Sequence, residues 1–239
     1  MDAIESVLKV MFSPGDCFEI RIFDACRSGD RFPHIESGYF DYEHIGDIAS
    51  LLDGLASYTG VYVTLNPVNP ALLARANNRL VRAKRGLTTS DEDIITRRWL
   101  FIDIDPVRPA GISATDSEKA FAFDKLLEVK DGLALMGFTE PLCVDSGNGF
   151  YLIYRIEGNP DTSLVKQAME ALSVCSDDNV DIDTSVHNAA RICRLAGTFN
   201  RKGEDMPDRP HRLSELLEVP QEIKPTPLAI LEKLAGANS

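Results

Sequence analysis

Residues 98–106, Arg-Trp-Leu-Phe-Ile-Asp-Ile-Asp-Pro, constrain the rest of the chain most. An apolar run leads straight into two carboxylates spaced two apart, and a proline ends it. A strand of period two puts Asp103 and Asp105 on one face and Ile102 and Ile104 on the other. Carboxylates side by side repel, so the pairing is costly unless a cation sits between them. Hard divalent ions such as Mg²⁺ or Mn²⁺ take carboxylate oxygen and bind phosphate at the same time. So short a pattern also fits a strand end with two solvated aspartates, and the remaining sequence has to decide between the two.

The 239 residues suffice for one large domain or two small ones. A hydrophobic fraction of 44% is ordinary for a globular chain. No apolar run approaches the ~20 residues of a membrane span. The start, Met1-Asp2-Ala3-Ile4-Glu5, is acidic where a secretory signal is basic, so a cytoplasmic protein is expected. Cys17, Cys26, Cys143, Cys175 and Cys193 are scattered without a Cys-x-x-Cys pair, which argues against a zinc ribbon and against a disulfide framework.

The net charge of −12 argues against a general basic surface that coats nucleic acid. The cations are nevertheless clustered. Arg75, Arg79, Arg82, Lys84 and Arg85 crowd one segment, with Arg97 and Arg98 shortly after. Arg191, Arg194, Arg201, Lys202, Arg209 and Arg212 form a second. Such patches fit a groove for a phosphate-bearing ligand, and equally solvated helix faces.

Apolar periodicity predicts helices over residues 4–12, 42–57, 71–82, 116–136 and 163–174, and strands over 17–23, 60–65, 142–145, 150–156 and 191–196. Residues 27–37 read as loop, 38–40 as a short strand, 86–93 as a polar loop near a ligand, and 177–183 as an acidic loop or edge strand. Thr115 and Glu118 form a capping box, with Ala120, Phe123, Leu126, Leu127 and Leu133 as the buried stripe and Gly137 as the stop. Strands 142–145 and 150–156 make a hairpin about Ser146-Gly147-Asn148-Gly149. Hairpins mixed with helices indicate α+β rather than a parallel doubly wound sheet. Pro225-Thr226-Pro227 reads as a linker, and the last residues as a lone short helix with no core of its own.

Two further stretches could carry chemistry. In the turn Ser146-Gly147-Asn148-Gly149, two glycines let backbone N–H groups approach an anion, and Ser146 adds a hydroxyl; Asn-Gly is also an ordinary hairpin turn. In Asp181-Ile182-Asp183 through Arg191, an acid could complete a metal site with the first pair. The cations that follow could hold phosphates, or simply pair with acids on the surface.

Together these pieces resemble the archaeo-eukaryotic primase superfamily, in particular the primase–polymerase domains of plasmid and phage replication proteins, often fused to a helicase. The resemblance runs from about Val61 to Leu217. It rests on Val61 to Pro70, Trp99 to Pro109, Ser146 to Arg155, Asp183 to Arg191, Gly197-Thr198 through Lys202-Gly203, and Arg209-Pro210-His211-Arg212. It implies an RRM-like catalytic sheet with flanking helices joined to an N-terminal α/β unit. Residues 1–222 would then be the catalytic domain, and 223–239 a linker and short helix leading toward a further domain.

By the same resemblance, Asp103, Asp105 and Asp183 hold catalytic Mg²⁺ or Mn²⁺, with Asp181 an alternative third acid. Ser146, Gly147, Asn148 and Gly149 meet the phosphates of the nucleotide, and Arg191, Thr198 and Lys202 lie along the triphosphate or template. The implied activity is DNA primase/polymerase synthesis from nucleoside triphosphates on single-stranded DNA, with a fused or separate replicative helicase as partner and no membrane.

One position departs from the pattern: where the family carries a histidine, this chain has Tyr151. Tyrosine donates a hydrogen bond but stays neutral near pH 7. Hence two other readings stand beside the first, a weakened or non-catalytic nucleotide-binding module and a metal nuclease. His187 is the histidine nearest the predicted site in sequence.

Overall fold

Odd and even positions of Cys17–Ala25 (β1) part company. Phe18, Ile20 and Ile22 are buried in the core, while Arg21 and Phe23 on the other face are partly exposed. In a computed structural model, which describes residues 3–238, this strand is the centre of a five-stranded sheet. Its neighbours are His34–Asp41 (β2), Gly60–Thr64 (β3), Val81–Arg82 (β4) and, far along the chain, Ile192–Arg194 (β9), in the order β4-β2-β1-β3-β9. Ala3–Met11 (α1) and Ile48–Asp53 (α2) bury Leu8, Met11 and Ile48 in the same core as Ile20, Ile22, Val61 and Val63. Met1, Asp2 and Ser239, which begin the acidic start and end the last predicted segment, lie outside the described residues.

The second sheet holds Trp99–Pro106 (β5), Leu142–Asp145 (β6), Phe150–Arg155 (β7), Val180–Ile182 (β8) and Glu215–Glu218 (β12), in the order β12-β6-β7-β5-β8. Asp116–Met136 (α3) connects β5 to β6, and Thr162–Leu172 (α4) connects β7 to β8. β5-α3-β6-β7-α4-β8 is thus a split βαβ unit of ferredoxin-like topology, and every registered strand pair is antiparallel. This is the α+β, RRM-like sheet expected. α3 covers the even face of β7, where Phe123 meets the Phe150 ring at 5.4 Å. Phe199–Asn200 (β10) and Arg212–Leu213 (β11) form a small separate ladder.

Asn66 joins the two sheets. Its side chain donates to the Ala189 carbonyl and accepts from the N–H groups of Arg98 and Trp99, at 2.7–3.2 Å. One buried amide thereby ties the exit of β3 to the entries of β5 and β9.

Several local expectations change. The helix predicted over 71–82 is a 3₁₀ turn, Pro70–Arg75, followed by β4. Asn77 and Asn78 both adopt positive φ (52° and 58°), which no helix tolerates, and the Asn78 amide bonds Asp41 twice. Residues 34–37, read as loop, belong to β2, where Glu36 takes two bonds from Arg27. The helix over 42–57 is a 3₁₀ segment, Tyr42–Asp47, then the short α2, ending at Gly54. The capping box of α3 and its left-handed stop at Gly137 are as read. Its buried face, however, is Ala122, Leu126, Val129 and Leu133, and Phe123 and Leu127 are exposed. Only that 4-3-4 spacing keeps one face toward the sheet. The last helix, Leu228–Ala235 (α5), is not alone: Leu231 and Leu234 are buried in the main core and it packs on α4. Thr226 exchanges backbone bonds with Arg155 and Glu157, which fixes the Pro-Thr-Pro segment to the end of β7.

Candidate active site

The open face of the second sheet is set by register. On β5, Asp103 lies opposite Tyr151 of β7. On its other side, the N–H of Asp183 donates to the Asp103 carbonyl at 3.1 Å, which continues the β5–β8 ladder by one residue. Residues directly opposite share a face, so Tyr151, Asp103 and Asp183 form one row across three strands. Asp105 lies opposite Asp181 in the next row. Asp181 is exposed, accepts from the Ser176 hydroxyl, and does not line the cleft described next. Of the two acids weighed as a third member, Asp183 is the one brought to Asp103.

These residues open into a cleft of about 580 Å³ between the two sheets. Phe23, Tyr62 and Arg194 line it from the first sheet, and Phe101, Asp103, Asp105 and Tyr151 from the second. Of the other predicted residues, Asp183, Ser146, Asn148, Arg191 and Lys202 line its walls, and Gly147, Gly149 and Thr198 do not. One oxygen of Asp103, Oδ1, is enclosed with no hydrogen-bond partner. Burial, then the charges of Asp105 and Asp183, hold its carboxyl well above the ordinary value of 3.8, and Arg191 and Arg108 only partly offset them.

Asp105 takes a bond of 3.2 Å from Arg108 Nη2, and Asp183 Oδ1 accepts the N–H of Ser185. As the side chains stand, no group of three His, Cys, Asp or Glu among the described residues is arranged to hold a metal ion. The donor set still fits a hard divalent cation: three carboxylates on one cleft, one with an enclosed oxygen that no group of the protein satisfies.

The hairpin turn does different work from that expected of its glycines. The N–H of Gly147 donates to Asp145 Oδ1 at 2.7 Å, and that of Gly149 to Ser146 Oγ at 2.9 Å. Neither is free for an anion. Glycine is required instead for close approach. A Cβ on Gly149 would lie 2.4 Å from the Ile104 carbonyl oxygen and 2.5 Å from Asp105 Oδ1. Gly147 has φ +89° against Asn200. Because Ser146 Oγ only accepts here, its proton is free to donate. Asn148 Oδ1 accepts from Ala114, while its Nδ2 is enclosed without a partner.

The cations divide similarly. Arg191 donates to the Ser185 carbonyl and leaves its Nε without a partner. Lys202 is exposed at the cleft mouth. Thr198 is buried, donates to the Leu195 carbonyl at 2.7 Å, and does not line the cleft. His187 does not line it either; its ring faces the Thr184 carbonyl. Tyr151 packs its ring 4.7 Å from Phe101, and burial followed by Asp103 pushes its hydroxyl well above the ordinary tyrosine value, so it is a neutral donor.

Two residues were missed. Arg194 stacks its guanidinium 4.7 Å over Tyr62, donates Nη2 to the Tyr62 hydroxyl, and leaves Nη1 enclosed and unpartnered beside the cleft. Arg108 stands beside Asp105. Arg194 could have been found as the residue of the second basic segment that alternates onto the face of Ile192. Arg108 carries no signal beyond its distance of three from Asp105.

No protein-family model matches the sequence, and no curated protein matches it. Solved structures do. The primase–polymerase domain of cyanophage S-2L superposes with a TM-score of 0.52 at 13% identity, covering 98% of this chain and 96% of that one. The chain has the primase–polymerase fold. The crystal structure of primase RepB′ is similar at a TM-score of 0.50 and 15% identity, covering 97% of this chain; this chain spans 60% of that one. At such identities the likeness establishes the primase–polymerase architecture, two sheets about a cleft. No helix of the described residues is long and apolar enough to cross a membrane.

Proposed function

We propose that the chain is the catalytic domain of a primase–polymerase, a nucleotidyltransferase that joins nucleoside triphosphates on a single-stranded DNA template. The observation that carries this reading is the row of Asp103 and Asp183, with Asp105 beside it, opening on a cleft whose other walls bring Arg191, Arg194 and Lys202. In the reaction, the 3′-hydroxyl of the growing strand attacks the α-phosphorus, the bond to the β-phosphate breaks, and pyrophosphate leaves. Asp103, Asp105 and Asp183 would hold Mg²⁺ or Mn²⁺, which would make the attacking hydroxyl more acidic and neutralise charge on the departing oxygens.

The remaining steps belong to the chain. The Ser146 hydroxyl and Asn148 Nδ2 donate to phosphate oxygens. Arg191, Arg194 and Lys202 balance the triphosphate, arginine by its planar fork and lysine as a point charge. Tyr151 supplies a neutral hydrogen bond where a histidine would supply a charged one. Residues 1–222 carry this machinery, Leu228–Ala235 packs back on its core, and a replicative helicase, fused or separate, is the partner.

Primer extension on single-stranded DNA with Mn²⁺ or Mg²⁺ tests the reading. The native chain should incorporate nucleotide, and Asp105→Asn should lose at least ~10²-fold. A second reading, a nucleotide-binding module with weak or no catalysis, is favoured by Tyr151 itself. Tyr151→His decides between them. A gain on the order of 10²-fold means a tuned site, whereas binding of DNA without incorporation by either form means a binding module. Strand cleavage in place of extension would point to a nuclease.

A further inference from the structure

The outer face of the first sheet carries more than the wall of the cleft. Register places Val81, Ser37, Arg21, Tyr62 and Arg194 side by side across β4, β2, β1, β3 and β9. Four strand spacings make that row ~19 Å long. Tyr62 and Arg194, at one end, line the catalytic cleft. Arg21, at the middle, lines a second hollow of about 450 Å³ that shares Arg191 and Ile192 with the cleft. Ser37 and Val81, at the far end, line a third of about 110 Å³, together with Arg75, Arg82 and Lys84. The loop after β4 walls both outer hollows, Leu87 and Thr88 on one side and Thr89 and Ser90 on the other.

The charge along this row is uneven in an informative way. Arg21 is already paired with Glu19, and the one acid of the middle hollow, Asp91, accepts from the Ala190 N–H. At the far end the hollow has no acid in its lining. Arg82, opposite Glu36 in the ladder, and Lys84 and Arg85 after it stand exposed at the edge of the sheet, and their side chains have no ion pair or hydrogen bond among the described residues. Exposed apolar side chains, Val81 and Leu87, stand beside them. A chain with net charge −12 that leaves these cations uncompensated at the edge where the row ends is complementary to a polyanion that enters the cleft at the other end.

We propose that this face is the track of the single-stranded template, and that Arg82 and Lys84 hold its phosphates where it leaves the cleft; the proposal rests on the polymerase reading above. At 3.4 Å per stacked nucleotide, ~19 Å corresponds to about five or six nucleotides. A strand shorter than that, seated in the cleft, does not reach the basic end.

Fluorescence anisotropy with four-nucleotide and twelve-nucleotide oligothymidylates, over a salt series, tests this. Each lost phosphate contact on a single strand lowers the slope of log affinity against log salt by ~0.7, so the double variant Arg82→Ala/Lys84→Ala should lower it by ~1.4 and weaken the longer oligonucleotide about tenfold at ~0.15 M salt. Binding of the shorter one, and the KM for nucleotide, should not change. Lys233→Ala on α5 removes an exposed charge elsewhere and should leave the slope intact. Native slope and affinity in the double variant would overturn the track, as would equal weakening of both lengths or an equal effect of Lys233→Ala. Incorporation by a native chain that binds both lengths equally would reject the track alone, whereas neither binding nor incorporation would reject the polymerase reading with it.

Discussion

The two faces of β5 are made from alternate residues of one short strand and do opposite things to the molecule. Ile102 and Ile104 are completely buried against the helix-covered side, where removal from water stabilises the fold. Asp103 and Asp105 face the cleft, where like charges gather and one oxygen has no partner. The first face holds the strand in place firmly enough for the second to sustain an arrangement that costs stability. Stability and reactivity are here separated by 180° of side-chain direction rather than by distance along the chain.

Substitutions that treat the two faces alike test this contrast. The largest effect should come from the buried face: Ile104→Ala should cost about 2–5 kcal/mol in urea unfolding, through lost burial and the cavity left behind. Gly149→Ala strikes between the faces, because its Cβ would press on both the Ile104 carbonyl and Asp105. It should cost about 1–3 kcal/mol and lower nucleotide incorporation as well, the second readout showing that Asp105 has moved.

Asp103→Asn should do the reverse of Ile104→Ala. It should raise metal-free stability by about 1 kcal/mol while abolishing incorporation. Because the folded carboxyl keeps its proton to higher pH than the unfolded one, the native protein's metal-free stability should fall as pH rises from about 3.8 toward the raised value. Asp103→Asn should remove that slope, and an unchanged slope would break the contrast.

The smallest effect lies away from both faces. His44, held above its ordinary 6.5 chiefly by its bond to Asp41, contributes stability at low pH that is lost as pH rises through the raised value. The pair is only half-buried, so His44→Gln should change only the shape of the pH–stability curve near neutrality, and only slightly.

Much of this was legible in residues whose neighbours in sequence decide their structure. The Asp-x-Asp strand, the Thr115–Glu118 cap, Gly137 and the hairpin at 146–149 are local features, and each appears where the pattern places it. The failures share a cause. Residues 71–82 carry a helical pattern, but Asn78 is claimed by Asp41, 37 residues away. The glycines at 147 and 149 look like anion donors, but their N–H groups are taken by Asp145 and Ser146. α5, eight residues long, is too short to fold alone and uses the core beside α4. Alternation with Ile192 sets the face of Arg194, but what it meets there depends on pairing with Tyr62, 132 positions earlier. Periodicity reports which way a side chain points; long-range pairing decides what it meets.

The most direct test is a crystal of this chain grown with Mn²⁺ and a non-hydrolysable nucleoside triphosphate, with diffraction collected at the manganese edge. An anomalous peak bounded by Asp103, Asp105 and Asp183, with the triphosphate toward Arg191, Arg194 and Lys202, is the predicted result. Manganese elsewhere, or a triphosphate in the cleft with those three carboxylates unliganded, would contradict it.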